Sequence, residues 1–411
     1  MNNHQTRQVT IHLVQSGFGI LSSVLGTIVI FILIARSLGP EEFGNFALVY
    51  ALASLAGLVF DFGYPPRLLR ETDALATHWG GLPLRVMHAK VVLLSVLTPT
   101  LFTAAWAIGL DPCVLAAIWA GIVLLSFGNV FAAMLRARGH HGRDAANLFA
   151  ANASGALLAL GLYAMSATPL AFALVIAAIG AAYGALTLLS WRRQFALVPE
   201  RFSWASVGAE LRAGLAYLLD AFTQRGFGFL DVAILAAVAP PLIVGLYQAG
   251  QKIALGAGLA AQPFNNVMLP RLSRLAATPA QWHPTALRFF AVQAGIGLAA
   301  FGLLAGLGPA IVDLVYTEAY APVRGYMWLF GALVGARYVA SSLGIMATSL
   351  GQQRQRAMIN LAGLAAFAAL APVLATQFGA RGMILAALLG ALASASGLLL
   401  LLKRQFGWAR T

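Results

Sequence analysis

Residues 13–62 read LVQSGFGILSSVLGTIVIFILIARSLGPEEFGNFALVYALASLAGLVFDF. Two apolar runs, 13–35 and 43–62, flank a short polar break containing Gly39-Pro40-Glu41-Glu42. About 20 apolar residues carry a helix across bilayer hydrocarbon. A helix also pairs its own backbone groups there, where no water can. The stretch therefore predicts two spans joined by a tight turn. The same pattern continues along the chain, with spans expected near 13–35, 43–62, 89–109, 113–135, 145–166, 169–190, 214–237, 242–265, 286–308, 326–349, 357–377 and 380–402. The expected fold class is an all-α polytopic membrane protein of about twelve transmembrane helices.

Composition agrees. Of 411 residues, 60% are hydrophobic and 9% charged, against about 25% charged in a soluble domain. The net charge of +13 is spread over loops and forms no single patch, which argues against nucleic acid. Every second loop carries the bases: Arg67, Arg70, Arg85 and Lys90; then Arg136, Arg138 and Arg143; then Arg192, Arg193, Arg201 and Arg212; then Arg271, Arg274 and Arg288; then Arg354 and Arg356; and finally Lys403, Arg404 and Arg410. The alternate turns are tiny, at Asp111-Pro112, Thr168-Pro169 and Pro240-Pro241. Cytoplasmic loops are enriched in Lys and Arg, so a bacterial inner-membrane protein with both termini cytoplasmic is expected. The first run lacks a small-residue cleavage site and is read as a retained helix. Segment 202–212 reads as an interfacial amphipathic helix. The single cysteine, Cys113, excludes an intrachain disulfide.

A weak internal repeat divides the chain near its middle. Gly44-Asn45-Phe46 matches Gly245-Leu246-Tyr247, and Ala53, Ala56, Gly57 and Leu58 match Ala254, Ala257, Gly258 and Leu259 at the same offset. An even number of spans per half implies a parallel repeat, hence lobes at 1–200 and 201–411 with a substrate cavity between them.

Ionisable residues inside apolar runs are the candidate site. A charge at mid-bilayer costs about 3 kcal/mol on insertion scales, so such groups should face water or each other. Arg225, Lys252 and Arg337, with Gln224 and Gln251, are candidates for binding an anionic headgroup, and Asp220 and Asp231 for coupling to H+ or Na+. Asp220, Gln224 and Asp231 share one helical stripe at 3.6 residues per turn. Asp231 and Lys252 sit at similar depth either side of Pro240-Pro241, so a purely structural ion pair is an equal alternative. Asp61, before Gly63, reads as a polar helix terminus. Arg36 reads as a snorkelling residue. Ser16, Ser23 and Thr27 form a polar stripe, expected to pack against a neighbouring helix in preference to lining a cavity. Asn265 and Asn266 read as helix caps.

Enzyme signatures are missing. The histidines lie outside the spans or at their ends, and His140-His141 has no carboxylate ligand beyond Asp144. No Gly-rich loop precedes Lys-Ser or Lys-Thr. No catalytic residue, metal site or cofactor is expected beyond a coupling ion.

The run Ala35-Arg36-Ser37-Leu38-Gly39-Pro40-Glu41-Glu42-Phe43-Gly44-Asn45-Phe46-Ala47, followed by Asp61-Phe62-Gly63 and Arg70-Glu71, resembles the N-terminal signature of Wzx-like oligosaccharide flippases, polysaccharide biosynthesis proteins of the MOP superfamily. Its second-half counterpart is Asp231, then Val244-Gly245-Leu246-Tyr247-Gln248-Ala249, then Leu269-Pro270-Arg271-Leu272-Ser273. The resemblance implies two six-helix lobes. It also implies outward flipping, by alternating access, of an oligosaccharide linked to undecaprenyl diphosphate for surface polysaccharide. The partners so implied are that lipid-linked oligosaccharide and the bilayer lipids, with a polysaccharide polymerase and chain-length proteins alongside. Arg225, Lys252 and Arg337 lie outside these motifs, and their roles rest on position. The rival is a MATE-type cation antiporter, which should carry more acids than bases in its cavity. A membrane-embedded polymerase should show a sizeable outer loop, and a non-transporting scaffold is the remaining alternative.

Overall fold

The computed structural model describes residues 3–72, 82–165, 167–192, 200–222, 226–259 and 261–406, and among them there is no strand. Chain order is α1 (Asn3–Asp61), α2 (Tyr64–Thr72), α3 (Leu82–Ala107), α4 (Pro112–Ala137), α5 (His141–Ala164), α6 (Pro169–Arg192), α7 (Trp204–Ala221), α8 (Phe227–Val238), α9 (Pro241–Gly258), α10 (Ala261–Leu275), α11 (Pro279–Gly306), α12 (Gly308–Val315), a 3-10 stretch Glu318–Tyr326, α13 (Met327–Ser349) and α14 (Gln353–Phe406).

Eight helices among the described residues are long and apolar enough to cross a membrane. Two of their apolar segments, Leu21–Leu69 and Gln353–Arg404, hold 49 and 52 residues, more than twice what one crossing needs. Each is broken by a glycine. Gly39 sits at φ 75 in α1 and Gly379 at φ 58 in α14, a region that L side chains rarely enter. Pro40 follows Gly39 and starts the next run, where its missing N–H costs nothing. The Asp111-Pro112 turn is built by the same rules. Asp111 accepts from the N–H of Cys113 at 2.7 Å and of Val114 at 3.3 Å, capping α4 with Pro112 at its first turn.

The chain forms two compact units, Met1–Leu38 with Asn45–Leu230, and Gly39–Gly44 with Asp231–Thr411. In the first, α4 and α6 pack backbone to backbone. A Cβ on Gly121 would meet the carbonyl of Ile176 at 2.6 Å, and one on Gly128 the Cα of Gly184 at 3.0 Å. Apolar burial drives little association inside a lipid bilayer, so such close approach supplies the attraction through van der Waals contact. In the second unit Gly297 and Gly335 do the same for α11 and α13. An apolar cluster of Trp282, Phe289, Leu343, Met346 and Leu398 joins α11, α13 and α14.

Three expectations are corrected here. Segment 202–212 is no separate surface helix, because α7 runs on from Trp204 to Ala221. Its Val207 is buried against Phe62, Tyr64 and Val86, and Glu210 takes Arg67 at 2.5 Å and Arg85 at 3.2 Å. Of span seven, α7 is described to Ala221 and α8 from Phe227. Arg67 and Lys90 are buried, although their neighbourhood read as a basic loop. Asn265 is no cap. It donates to Ser341 at 2.7 Å and accepts from Gln293 at 2.8 Å, tying α10 to α13 and α11.

The two glycines matched by the sequence repeat meet each other. A Cβ on Gly44 would overlap the carbonyl of Pro241, and a Cβ on Gly245 that of Pro40. The contact is reciprocal, and it lies within the second unit. Gly258, in the same helix as Gly245, has open space around it. Gly245→Ala should destabilise the protein by about 1–3 kcal/mol through overpacking, while Gly258→Ala should be neutral or mildly stabilising. Thermal unfolding of both variants in one detergent checks this, and equal midpoints would show that the contact relaxes freely.

Candidate functional site

The first unit encloses a cavity of about 620 Å³, within the range of about 300–1,000 Å³ common for small-molecule sites. Its wall draws on α1, α2, α4, α5, α6 and α7. Arg136 stands at the end of α4 near the basic residues Arg138 and Arg143, Asp61 meets α4 ten residues away at Ser126, and Gly121 lies further along. From Arg136 to Gly121 is about 22 Å at 1.5 Å per residue, so the hollow runs deep into the helical bundle. Ile30, Leu125 and Ile176 make apolar wall, while Tyr50, Tyr183 and Tyr217 add rings.

Two buried ionic groups frame it. Lys90 is fully buried in α3. It donates to Ser126 Oγ at 2.6 Å, the Phe60 carbonyl at 3.3 Å and Asp61 Oδ1 at 3.5 Å. Ser126 in turn donates to Asp61 Oδ1 at 2.6 Å. The ammonium also lies 4.3 Å from the centre of the Phe60 ring, a favourable cation–π position. A hydroxyl, a carbonyl, a carboxylate and a ring thus replace the water that a buried ammonium loses. In the second group Arg136 donates to Asp144 Oδ2 at 2.6 Å and the Tyr183 hydroxyl to Asp144 Oδ1 at 2.8 Å.

Each group leaves valences open toward the cavity. Among the described residues Asp61 Oδ2 accepts no hydrogen bond, and Arg136 uses only one of its three nitrogens. Asn129, half-buried in α4, has no hydrogen-bond partner among the described residues. Asn152 is buried and spends its amide N–H on the Leu148 carbonyl at 2.8 Å, leaving its oxygen unpaired.

The sequence-based candidates fall elsewhere. Asp231 is completely buried in the second unit. It accepts from the Tyr247 hydroxyl at 2.7 Å, from Gln251 Nε2 at 2.5 Å and from the backbone N–H of Val232 at 2.7 Å. Lys252 and Arg337 both lie within electrostatic reach of it. Lys252 is half-buried and Arg337 exposed. Four candidates, Asp231, Gln251, Lys252 and Arg337, are therefore gathered in the second unit, with Tyr247 added. The direct partners of Asp231 on α9 are Tyr247 and Gln251. Gln224, Arg225 and the side chain of Asp220 lie outside the described residues.

Other residues change role. Asp61 is more than a helix terminus, being the acceptor at the centre of the Lys90 group. Ser23 and Thr27 line the first-unit cavity, correcting their reading as a packing stripe; the side chain of Ser16 lies outside the described residues. Arg36 places its guanidinium 5.5 Å from the Tyr163 ring centre. Sequence reasoning passed over Lys90, Ser126, Asn129, Asp144, Asn152 and Tyr183. Asn129 and Asn152 were detectable as amides inside apolar runs. Lys90 was not, because one residue's shift at a helix end separates a loop base from a buried one.

The helical architecture, with two compact units of apolar helices, is that of a multi-pass membrane protein. Among solved structures it is similar to the lipid II flippase MurJ in an inward closed conformation (TM-score 0.74, 12% identity, covering 95% of this chain and 87% of that one). It is also similar to an outward-facing multidrug resistance MATE family transporter of the MOP superfamily (0.64, 14%, 98% and 96%), and to the Vibrio cholerae MATE transporter VcmN in its bent form (0.58, 14%, 97% and 96%). At these identities the likeness is one of fold. No curated protein sequence matches the chain. Residues 13–276 match the polysaccharide biosynthesis protein family, and the chain belongs to that family.

The Lys90 group can be tested by a double-mutant cycle. Asp61→Asn weakens the hold on a buried cation and should cost about 3 kcal/mol. Lys90→Met leaves Asp61 its Ser126 bond and some exposure, so it should cost less. The double variant should be more stable than the sum of the single losses, measured by chemical unfolding in detergent. Additivity to within about 0.5 kcal/mol would show that the carboxylate does not hold the cation.

Proposed function

We propose that the protein flips a lipid-linked oligosaccharide, carried on undecaprenyl diphosphate, from the inner to the outer leaflet of the bacterial inner membrane for surface polysaccharide assembly. It is a transporter in this reading, not an enzyme. The basic loops face the cytoplasm, as the positive-inside bias requires.

One observation carries the reading: two cations, Lys252 and Arg337, stand by one carboxylate, Asp231. The carboxylate already receives three hydrogen bonds, from Tyr247, Gln251 and Val232. Two cations beside one carboxylate in a membrane segment favour an anionic ligand over a cationic one. A diphosphate with its lipid tail kept in hydrocarbon is an anion that reaches this depth. Arg337, as a planar fork of donors, suits phosphate oxygens, and its exposure leaves it accessible. Gln224 and Arg225 are assigned to the same headgroup by their place in the sequence, and Asp220 with Asp231 to a coupling H+ or Na+. A cation antiporter would place more acids than bases here.

Arg337→Ala should abolish surface polysaccharide and leave lipid-linked glycan on the inner leaflet, with the protein inserted and abundant. Lys252→Ala should lower export by about tenfold or more, since a charge-assisted hydrogen bond contributes about 1.5–3 kcal/mol. Arg337→Lys should retain part of the activity. Export is read as cell-surface glycan against membrane-extracted protein. Normal glycan from both alanine variants would remove the headgroup assignment, and a gain of resistance to cationic dyes on expression would favour the antiporter.

A further inference from the structure

The first-unit cavity is charge-balanced. Asp61 is matched by Lys90 and Asp144 by Arg136. An ion of either sign therefore finds no surplus to compensate there. The open valences are of both kinds: acceptors at Asp61 Oδ2 and Asn152 Oδ1, donors on Arg136, and the whole amide of Asn129. Polar atoms this far into a helical bundle are costly unless something pairs with them. A hydroxyl group both donates and accepts, so a ligand with several neighbouring hydroxyls answers a mixed set where a simple anion or cation cannot. Apolar wall from Ile30, Leu125 and Ile176, with rings from Tyr50 and Tyr183, suits the C–H faces that sugar rings expose between their hydroxyls.

We propose that this cavity of the first unit binds uncharged sugar residues, those of the cargo's glycan. The inference rests on the reading of the cargo as a lipid-linked oligosaccharide. Asn129 and Asn152 are its hydrogen-bonding residues, and the carboxylate of Asp61 is a further acceptor in its wall. The cavity reaches the end of α4 at Arg136, near Arg138 and Arg143, so the glycan enters from the face where these basic residues collect. The division of labour separates specificity from affinity. The cationic cluster is blind to the sugars, and the balanced cavity is blind to the phosphates.

The test uses the full chain in lipid nanodiscs and two probes: the free oligosaccharide unit released by mild acid from the producing strain's surface polysaccharide, and undecaprenyl diphosphate carrying no sugar. Asn129→Ala breaks no hydrogen bond of the described protein and should fold normally. It should weaken the oligosaccharide by about tenfold and leave undecaprenyl diphosphate unchanged. Thr27→Phe, which fills the hollow from α1, should do the same. Arg337→Ala should show the reverse pattern. If the oligosaccharide binds wild type and both cavity variants alike, while the lipid diphosphate still depends on Arg337, the glycan site is overturned and the flippase reading stands. If neither probe binds and ethidium does, both are overturned.

Discussion

A charge inside a lipid bilayer has to find its partners within the protein, and this requirement organises both units. Water cannot reach far enough to solvate Lys90, so Ser126, Asp61, the Phe60 carbonyl and the Phe60 ring take its place. Asp231 is embraced in the same way by Tyr247, Gln251 and the Val232 N–H. Each cluster draws donors and acceptors from more than one segment of the chain, so satisfying the charge also fixes how those helices pack. Close approach at glycine supplies the rest of the attraction. Gly121 with the α6 backbone, Gly297 with Gly335, and Gly44 with Gly245 bring backbones together where any larger residue would hold them apart.

The two clusters differ in their balance, and the balance bears on function. In the first unit acids and bases cancel around a hollow, leaving neutral polar valences. In the second, two cations attend one carboxylate. A molecule with an uncharged polyhydroxylated part and an anionic part has complementary features for both. Membership of the polysaccharide biosynthesis family is in keeping with such a molecule, while the shared fold serves lipid and drug transporters alike.

Much of the architecture was legible in the residue pattern. The apolar runs, the break at Gly39-Pro40 and the turn at Asp111-Pro112 follow from local rules of length, φ and capping. So did the importance of Asp231, since an acid in an apolar run needs partners. What the pattern obscured was the fate of residues near helix ends. Arg67, Lys90 and Asp61 look like loop polarity from their neighbours, yet Arg67 pairs with Glu210 from α7, far away in sequence. Ser23 and Thr27 form a stripe that is equally compatible with helix packing and with a cavity wall.

By itself the sequence determined that this is an all-helical membrane protein and that its chain breaks at Gly39-Pro40 and Asp111-Pro112. These follow from hydrocarbon thickness and from backbone hydrogen bonding, both of which act within a single segment. Only the tertiary structure decided which charges pair with which, and that a hollow lies among α1, α4, α5 and α6. Those outcomes depend on distances between side chains carried by different helices, and such distances are set by packing that no single stretch of chain encodes.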